Sequence, residues 1–432
     1  MTKRLYYDSS EIHEFDSVVE VVAALSPEQA RPAVILRETA FYPTSGGQVH
    51  DTGWLTIDGG GRAEEGLRVT EVAEAEDGRI VHYLEVPSKL PLPGAAVHGS
   101  IDRERRRDHM QQHTGQHVLS AAFIELYQMP TVSFHMGEDY CSIDLAAPSV
   151  GSEQIAKAEK RANQIVFENR PVQIRYVSRA EAEKLGLRKL PPAERDELRL
   201  IEVADFDVSA CGGTHVSASG QIGSILLRKS ERVRQGTRVE FVCGERAVRM
   251  ARRDYSALSE AAALFSSQLW DVPDQIRKNA EESKLVRKQK EDALDQLAEL
   301  MALDALRDLP VTNGRKIVVR AFSDHDIGFA KLFAQKVTRA GTPAIALVAS
   351  SVDPPGLVFA QTSSQTSSHN LAQGSSGTPG ATADMGALLK QVLSSVGGRG
   401  GGSRDFAQGG VPAGSNINVE QLLREAAGTI VA

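Results

Sequence analysis

Cysteine, aromatic residues and long apolar runs are all scarce in this 432-residue sequence. Its three cysteines, Cys141, Cys211 and Cys243, are too few and too scattered for a disulfide framework, which points to a reducing compartment. Aromatics make up 5% of the chain, so its cores must be packed mainly with aliphatic side chains. The N-terminal MTKRLYYDSS lacks the apolar run of a secretory signal. No stretch approaches the roughly 18 apolar residues that a membrane span needs. A cytoplasmic location without membrane contact is therefore expected. Net positive charge is also missing. At −7, the protein carries no global electrostatic footprint for nucleic acid, so any RNA contact must come from local basic patches.

What is present is a soluble globular composition, 41% hydrophobic and 24% charged, long enough for several domains. Residues 1–100 read as β-rich. Short apolar runs at 33–36, 54–57 and 80–84 are separated by Gly and Pro, and a small barrel is an economical closure for such strands. From residue 102 to about 127 the apolar period becomes helical. A strand-like stretch over 131–145 and a second helix over 152–169 follow, then strand signals at 172–176, 198–203, 222–227 and 238–242. These define an α+β domain over 101–248. Residues 249–310 form a helical connector interrupted near Pro273, with Ala293, Leu297, Leu300 and Leu303 at seam spacing. That seam packs on its own protein or forms a dimer arm. Residues 311–432 alternate strand and helix patterns, as an α/β unit does, and the Ser/Gly-rich segment 361–382 reads as a surface insertion. The fold class expected is thus a multidomain α+β protein.

The candidate chemistry lies in two short motifs. His113 and His117 in QQHTGQHVLS are four residues apart, which on a helix places both imidazoles on one face. Ninety-four residues after His117 comes SACGGTHV, where Cys211 and His215 flank a glycine pair that favours a tight loop. Three imidazoles and one thiolate suit tetrahedral Zn2+. Four protein ligands suit a closed structural site. A catalytic one needs a ligand to loosen, or a water activated elsewhere. His109 reads as a solvated helical residue, and His135 as either core or pocket lining. No Ser-His-Asp or nucleophilic cysteine signature accompanies them.

FYPTSGGQVHDTG (41–53), MQQHTGQHVLSAAF (110–123) and SACGGTHV (209–216) together resemble the editing domain of alanyl-tRNA synthetases. They are more similar still to its free-standing relatives, the alanyl-tRNA editing proteins of the AlaX group. GGRGGGSRDFAQGG (397–410) resembles the DHH-associated RNA-binding domain, and the order of segments resembles the long AlaX form. The resemblance implies a zinc-dependent hydrolase that removes serine, with glycine as a second candidate, from tRNA(Ala). It implies His113, His117, Cys211 and His215 as ligands of one zinc ion, and Gly46, Gly47, Gln48 and Thr39 as pocket residues. Thr44 and Ser45 depart from the family's Glu-Gly at that point. The basic candidates for tRNA are Arg103, Arg105, Arg106 and Arg107 before the metal helix, and Arg228, Lys229, Arg232, Arg234 and Arg238 on a hairpin. Arg399 and Arg404 flank the glycine run. The chain starts at the barrel, leaving no room for an aminoacylation domain, so a ligase activity is not expected. Asp324-His325-Asp326 is the nearest approach to a two-metal phosphoesterase motif and lacks the aspartate-rich partners that chemistry needs. Self-association through the helical connector or the C-terminal domain is a further candidate.

Overall fold

The structure is a computed structural model and describes all residues except 25–30, 58–65, 86–89, 186, 188–196, 235, 364–382, 415–416 and 432. The chain divides into two compact units, Met1–Ala263 and Leu264–Ala432. No described helix is long and apolar enough to cross a membrane.

In the first unit, β1 (Glu14–Ala24), β2 (Pro32–Leu36), β3 (Gly53–Ile57), β4 (Leu67–Glu74), β5 (Ile80–Leu84) and β6 (Ala96–Ile101) close into a barrel. Its order is β1-β2-β5-β4-β3-β6, with every pair antiparallel. Alternation along β4 sends Leu67 and Val69 inward, where they meet Leu36, Leu55, Ile80 and Val97 in an aliphatic interior with Phe15 and Phe41. The expected barrel is present, and closing it leaves no unpaired edge.

Helix α1 (Arg103–Tyr127) leaves the barrel from Asp102 and is buried along most of its length. Beside it lies a four-stranded antiparallel sheet. It is built from β7 (Thr131–Met136), β8 (Cys141–Leu145), β12 (Ile225–Val233) and β13 (Gly236–Cys243), in the order β12-β13-β8-β7. The stretch 131–145 is therefore a hairpin rather than one strand, because Gly137–Tyr140 turns the chain back. Helix α2 (Ser152–Phe167) buries Ala158, Ala162, Ile165 and Val166 against Val118, Leu119, Ala122 and Phe123 of α1. A smaller sheet of β9 (Val172–Ser178), β10 (Glu197–Val203) and β11 (Asp207–Ala210) leads into the 211–215 loop. After β13 the chain continues as α3 (Gly244–Leu264).

The second unit begins with α4 (Val272–Arg307). Pro273 stands at its first turn, where a missing N–H costs nothing, so the interruption of the helical pattern falls just before it. The central sheet contains β14 (Arg315–Phe322), β15 (Ala344–Ser350), β16 (Gly356–Gln361), β17 (Arg399–Gly402) and β18 (Phe406–Gly410), with Val311–Thr312 at one edge. β14 and β15 are parallel and joined through α5 (Ile327–Arg339). Successive side chains of β15 serve opposite faces. Ile345, Leu347 and Ala349 pack with α6 (Met385–Ser394) and α7 (Val419–Val431), while Ala344, Ala346 and Val348 pack with α4 and α5. Gln361 closes β16 as a buried residue, which moves the start of the expected insertion past it. The rest of that segment lies almost entirely outside the described residues. Asp326 caps α5 and His325 packs on Phe322 and Phe329, so this Asp-His-Asp triplet serves the fold.

Candidate metal centre

α1 brings His113 and His117 to one buried face, with ring centroids 5.3 Å apart. The loop after β11 brings Cys211 and His215 to the same point, and the four ligand atoms lie within 4.8 Å of one another. Sγ of Cys211 is 3.5 Å from Nε2 of His113 and 3.3 Å from Nε2 of His215. Gly213 makes this approach possible, since a Cβ there would stand 2.2 Å from Cε1 of His113. Its own N–H donates to the Cys211 sulfur at 3.3 Å. Three of the four ligands are buried, and Cys211 is the partly open one.

Each histidine is oriented through its other ring nitrogen. Nδ1 of His113 is 2.7 Å from Oε1 of Gln48, Nδ1 of His117 is 3.4 Å from Asp207, and Nδ1 of His215 is 3.2 Å from Oγ1 of Thr114. With Nδ1 held in this way, Nε2 is the atom left for a metal. Ligands at zinc bond lengths sit about 3.5 Å apart in a tetrahedron, so the quartet fits an ion with a modest contraction. The residues present therefore suit Zn2+ in donor chemistry and in support.

The electrostatics agree. Burial opposes ionisation of Cys211, but the neighbouring His113 and His215 outweigh it and hold the thiol well below its ordinary range. Burial also opposes a charge on His117, yet Asp207 and Cys211 raise it to about 9. Burial lowers His215 to about 3. These shifts favour the thiolate of Cys211 and the charged form of His117.

Ser45–Gln48 is a two-residue reverse turn, closed by reciprocal backbone hydrogen bonds of 3.0 and 2.9 Å. Gly46 and Gly47 have φ of +57° and +84°, the left-handed pair such a turn requires. A Cβ on Gly47 would strike the carbonyl of Phe134, whose ring stacks on His113, whereas the space around Gly46 is open. Gln48 is fully buried. Its Oε1 accepts from His113 and from the Thr214 N–H, and its Nε2 donates to Thr214 Oγ1. Its amide is engaged with the protein rather than presented to a ligand.

Thr39 lies apart, fully buried in the barrel. Its hydroxyl bonds His82 at 2.8 Å and accepts from the Phe41 N–H. Thr44 bonds the exposed-side His50. His109 is buried rather than solvated, and burial together with nearby arginines lowers its pKa to about 2. His135 is exposed.

The arginines separate sharply. Arg106 is wholly buried, clasping Asp51 and donating to the Ser10 and Ala40 carbonyls, so it is withdrawn from any RNA surface. Arg105 donates to the His50 carbonyl, and Arg238 is paired with Asp144. Arg103 and Arg107 are exposed and ion-paired with Glu14 and Glu245. Arg228, paired with Asp254, and Arg232 and Arg234 are exposed on β12 and its turn. Arg399 and Arg404 are exposed in the second unit. Sequence reasoning missed Asp207, Thr114, Thr214 and Arg199. The last donates to the Cys211 and Gly213 carbonyls at 2.7 and 3.1 Å and so fixes the loop.

Comparison with known proteins fits this arrangement. The family described as tRNA synthetases class II (A) matches residues 1–105. The threonyl and alanyl tRNA synthetase second additional domain matches residues 198–239, which hold Cys211 and His215. Alanine–tRNA ligase of Pyrococcus furiosus is 34% identical over 70% of this chain, which spans only 32% of that ligase. The ligase of Natronomonas pharaonis is 32% identical over 95% of this chain and 42% of its own length. The C-Ala domain of Aquifex aeolicus alanyl-tRNA synthetase aligns with 28% of this chain at 18% identity and a TM-score of 0.20, too low to equate the folds. The alanyl-tRNA editing protein AlaX-L of Pyrococcus horikoshii is 29% identical over 96% of this chain and 95% of its own. Over nearly its whole length the chain is a homologue of that editing protein.

Proposed function

We propose that this chain is a trans-editing hydrolase, which cleaves the ester joining serine, or secondarily glycine, to tRNA(Ala). The observation that carries this reading is the buried His113–His117–Cys211–His215 quartet, with separate protein groups orienting all three imidazoles. A synthetase pocket sized for alanine cannot strongly reject glycine or an added hydroxyl, and a second hydrolytic site answers that need. The quartet would hold zinc, which supplies a Lewis acid for a water or a carbonyl oxygen when bound. Gln48 acts as a positioning residue through His113. The partly open Cys211 gives a substrate its approach. Thr39 belongs to the barrel, where it fixes Phe41. Exposed Arg103, Arg107, Arg228, Arg232 and Arg234, with Arg399 and Arg404 in the second unit, are the proposed phosphate contacts.

Release of serine from Ser-tRNA(Ala), measured with zinc content on wild type and Cys211→Ala, tests the reading. Wild type is expected to hydrolyse the ester, and Cys211→Ala to lose both zinc and activity. Hydrolysis that persists in a zinc-free variant would sink the metal-dependent mechanism. No hydrolysis by zinc-loaded wild type would sink the enzyme. That outcome would favour a second reading, a non-catalytic zinc-containing tRNA-binding protein, which the saturating set of four protein ligands supports.

A further inference from the structure

A cleft of about 440 Å3 opens in the first unit, where the first turns of α1 meet the β7–β8 turn and the start of α3. None of the four candidate metal ligands lines it. Val49 and Met136 give it an apolar wall. Val49 follows Gln48, and the Met136 N–H donates to the Gly47 carbonyl at 3.2 Å, so that wall backs onto the turn that orients His113. Asp108 and Arg246 fill part of the floor as a neutral pair. The guanidinium donates to the carboxylate at 2.6 and 2.8 Å and to the Gly137 carbonyl at 2.6 Å. His109, also on the floor, is 2% exposed, and neither of its ring nitrogens has a hydrogen-bond partner among the described residues. Nδ1 is sealed from solvent, which leaves Nε2 as the nitrogen that faces the cleft. Buried polar groups nearly always have partners, so an imidazole at the floor of a cleft without one marks a place for a ligand atom. At the rim, Glu104, Glu138 and Arg249 are exposed and have no ion-pair partner among the described residues. Arg105 engages the His50 carbonyl through Nε alone, at 3.0 Å.

We infer that this cleft binds a free α-amino acid as its zwitterion, with the carboxylate on Arg249, Arg105 and Nε2 of His109 and the ammonium on Glu104 and Glu138. The site is separate from the quartet and does not depend on how the quartet is read. The unpaired charges decide the class of ligand. A simple anion would face two carboxylates without counter-ions, and a simple cation would face two guanidinium groups with free N–H donors. A bare metal ion fits no better, since His113, His117, Cys211 and His215 are the only such ligands gathered closely enough among the described residues. A molecule that carries both charges a few bonds apart satisfies both signs and strands neither. Burial, and after it Arg105, holds His109 neutral, so Nε2 can donate to a carboxylate without adding a further charge. The volume lies at the lower end of the roughly 300–1,000 Å3 span of ligand pockets, which suits a small solute. Val49 and Met136 are placed to receive an aliphatic side chain.

L-Alanine is the probe, because its methyl group adds no further charge or polar atom. Propionate is the same molecule without the ammonium, and ethylamine the same molecule without the carboxylate. Each is titrated into the zinc-loaded full chain carrying isotope-labelled histidine. The His109 ring signal, identified by its loss in His109→Gln, reports occupancy by NMR. Wild type is expected to bind alanine about tenfold or more tightly than either half, the effect of one charge-assisted hydrogen bond. Glu138→Gln should weaken alanine and leave propionate unchanged, while Arg249→Gln should weaken alanine and leave ethylamine unchanged. Both positions are exposed, so neither change threatens the fold. Binding should persist in zinc-free Cys211→Ala. Alanine that leaves the His109 signal unmoved, binds no better than its halves, or is lost with the zinc overturns the site, and so does indifference to both rim variants. Absent hydrolysis of Ser-tRNA(Ala) with alanine binding intact would sink the hydrolase reading and leave the amino-acid site standing.

Discussion

Oε1 of Gln48, at a turn of the barrel unit, lies 2.7 Å from Nδ1 of His113 and so points the other nitrogen of that ring at Cys211. The residue next to a glycine pair in a loop thus sets the orientation of a helical ligand 65 positions away. Removing the oxygen frees the ring to rotate. Gln48→Ala is expected to weaken zinc binding about 10- to 100-fold, as loss of such partners does. Competition with a chromophoric chelator measures this, and Gln48→Glu, which keeps an acceptor at the same place, should lose far less.

Zinc loading should release a proton at neutral pH. In the metal-free centre His117, raised to about 9 by Asp207 and Cys211 against the effect of burial, is protonated at pH 7, and a ligand must be neutral. Apparent affinity should therefore fall as pH drops below about 9. Calorimetry in buffers of different ionisation enthalpy counts the protons. Asp207→Asn should reduce the count, because it removes the charge that keeps His117 protonated.

The Arg106–Asp51 pair is fully buried and ties α1 to the barrel turn, where Asp51 also accepts from the Tyr42 N–H at 2.7 Å. Truncating one member strands the other. Arg106→Met should cost about 3–5 kcal/mol in chemical denaturation. The double variant with Asp51→Leu should recover a good part of that loss, since no charge is then left buried alone.

His82, fully buried with Nδ1 on the Val34 carbonyl, has its pKa lowered to about 4 by burial. Above pH 6.5 neither folded nor unfolded chain protonates it. Below that, the unfolded chain takes up a proton that the folded one refuses, so stability falls as pH drops from 6.5 towards 4. The loss approaches about 3 kcal/mol at 1.36 kcal/mol per unit. Thermal unfolding of wild type and His82→Gln across this range checks it, and the variant should show the shallower slope.

How much of this was readable beforehand follows from the distance over which each signal acts. The spacing of His113 and His117 is a local property of a helix, so the pair could be found from its period alone. The Gly-Gly between Cys211 and His215 announced a loop for the same reason. Thr114, Asp207 and Arg199 carry no such signal, because their roles arise only when distant segments meet. The four consecutive positions Arg103, Glu104, Arg105 and Arg106 show the limit most clearly. Composition makes the arginines alike, yet three residues along α1, a net turn of about 60°, separate an exposed Arg103 from an Arg106 sealed under the barrel. His109 was misread as solvated on the same grounds. Gln48 was found by resemblance, but its task could not be, since a buried amide and a substrate-facing amide look identical in sequence.

The bond between Gln48 and Thr214 spans 166 positions and crosses from the barrel turn to the metal loop. An excised fragment of residues 101–248 would contain all four candidate ligands and still lack the group that aims His113 and the carboxylate that neutralises Arg106. The barrel is therefore part of the scaffold of the candidate metal centre. Exchange of parts between such proteins, by recombination or by engineering, has to move both segments as one piece.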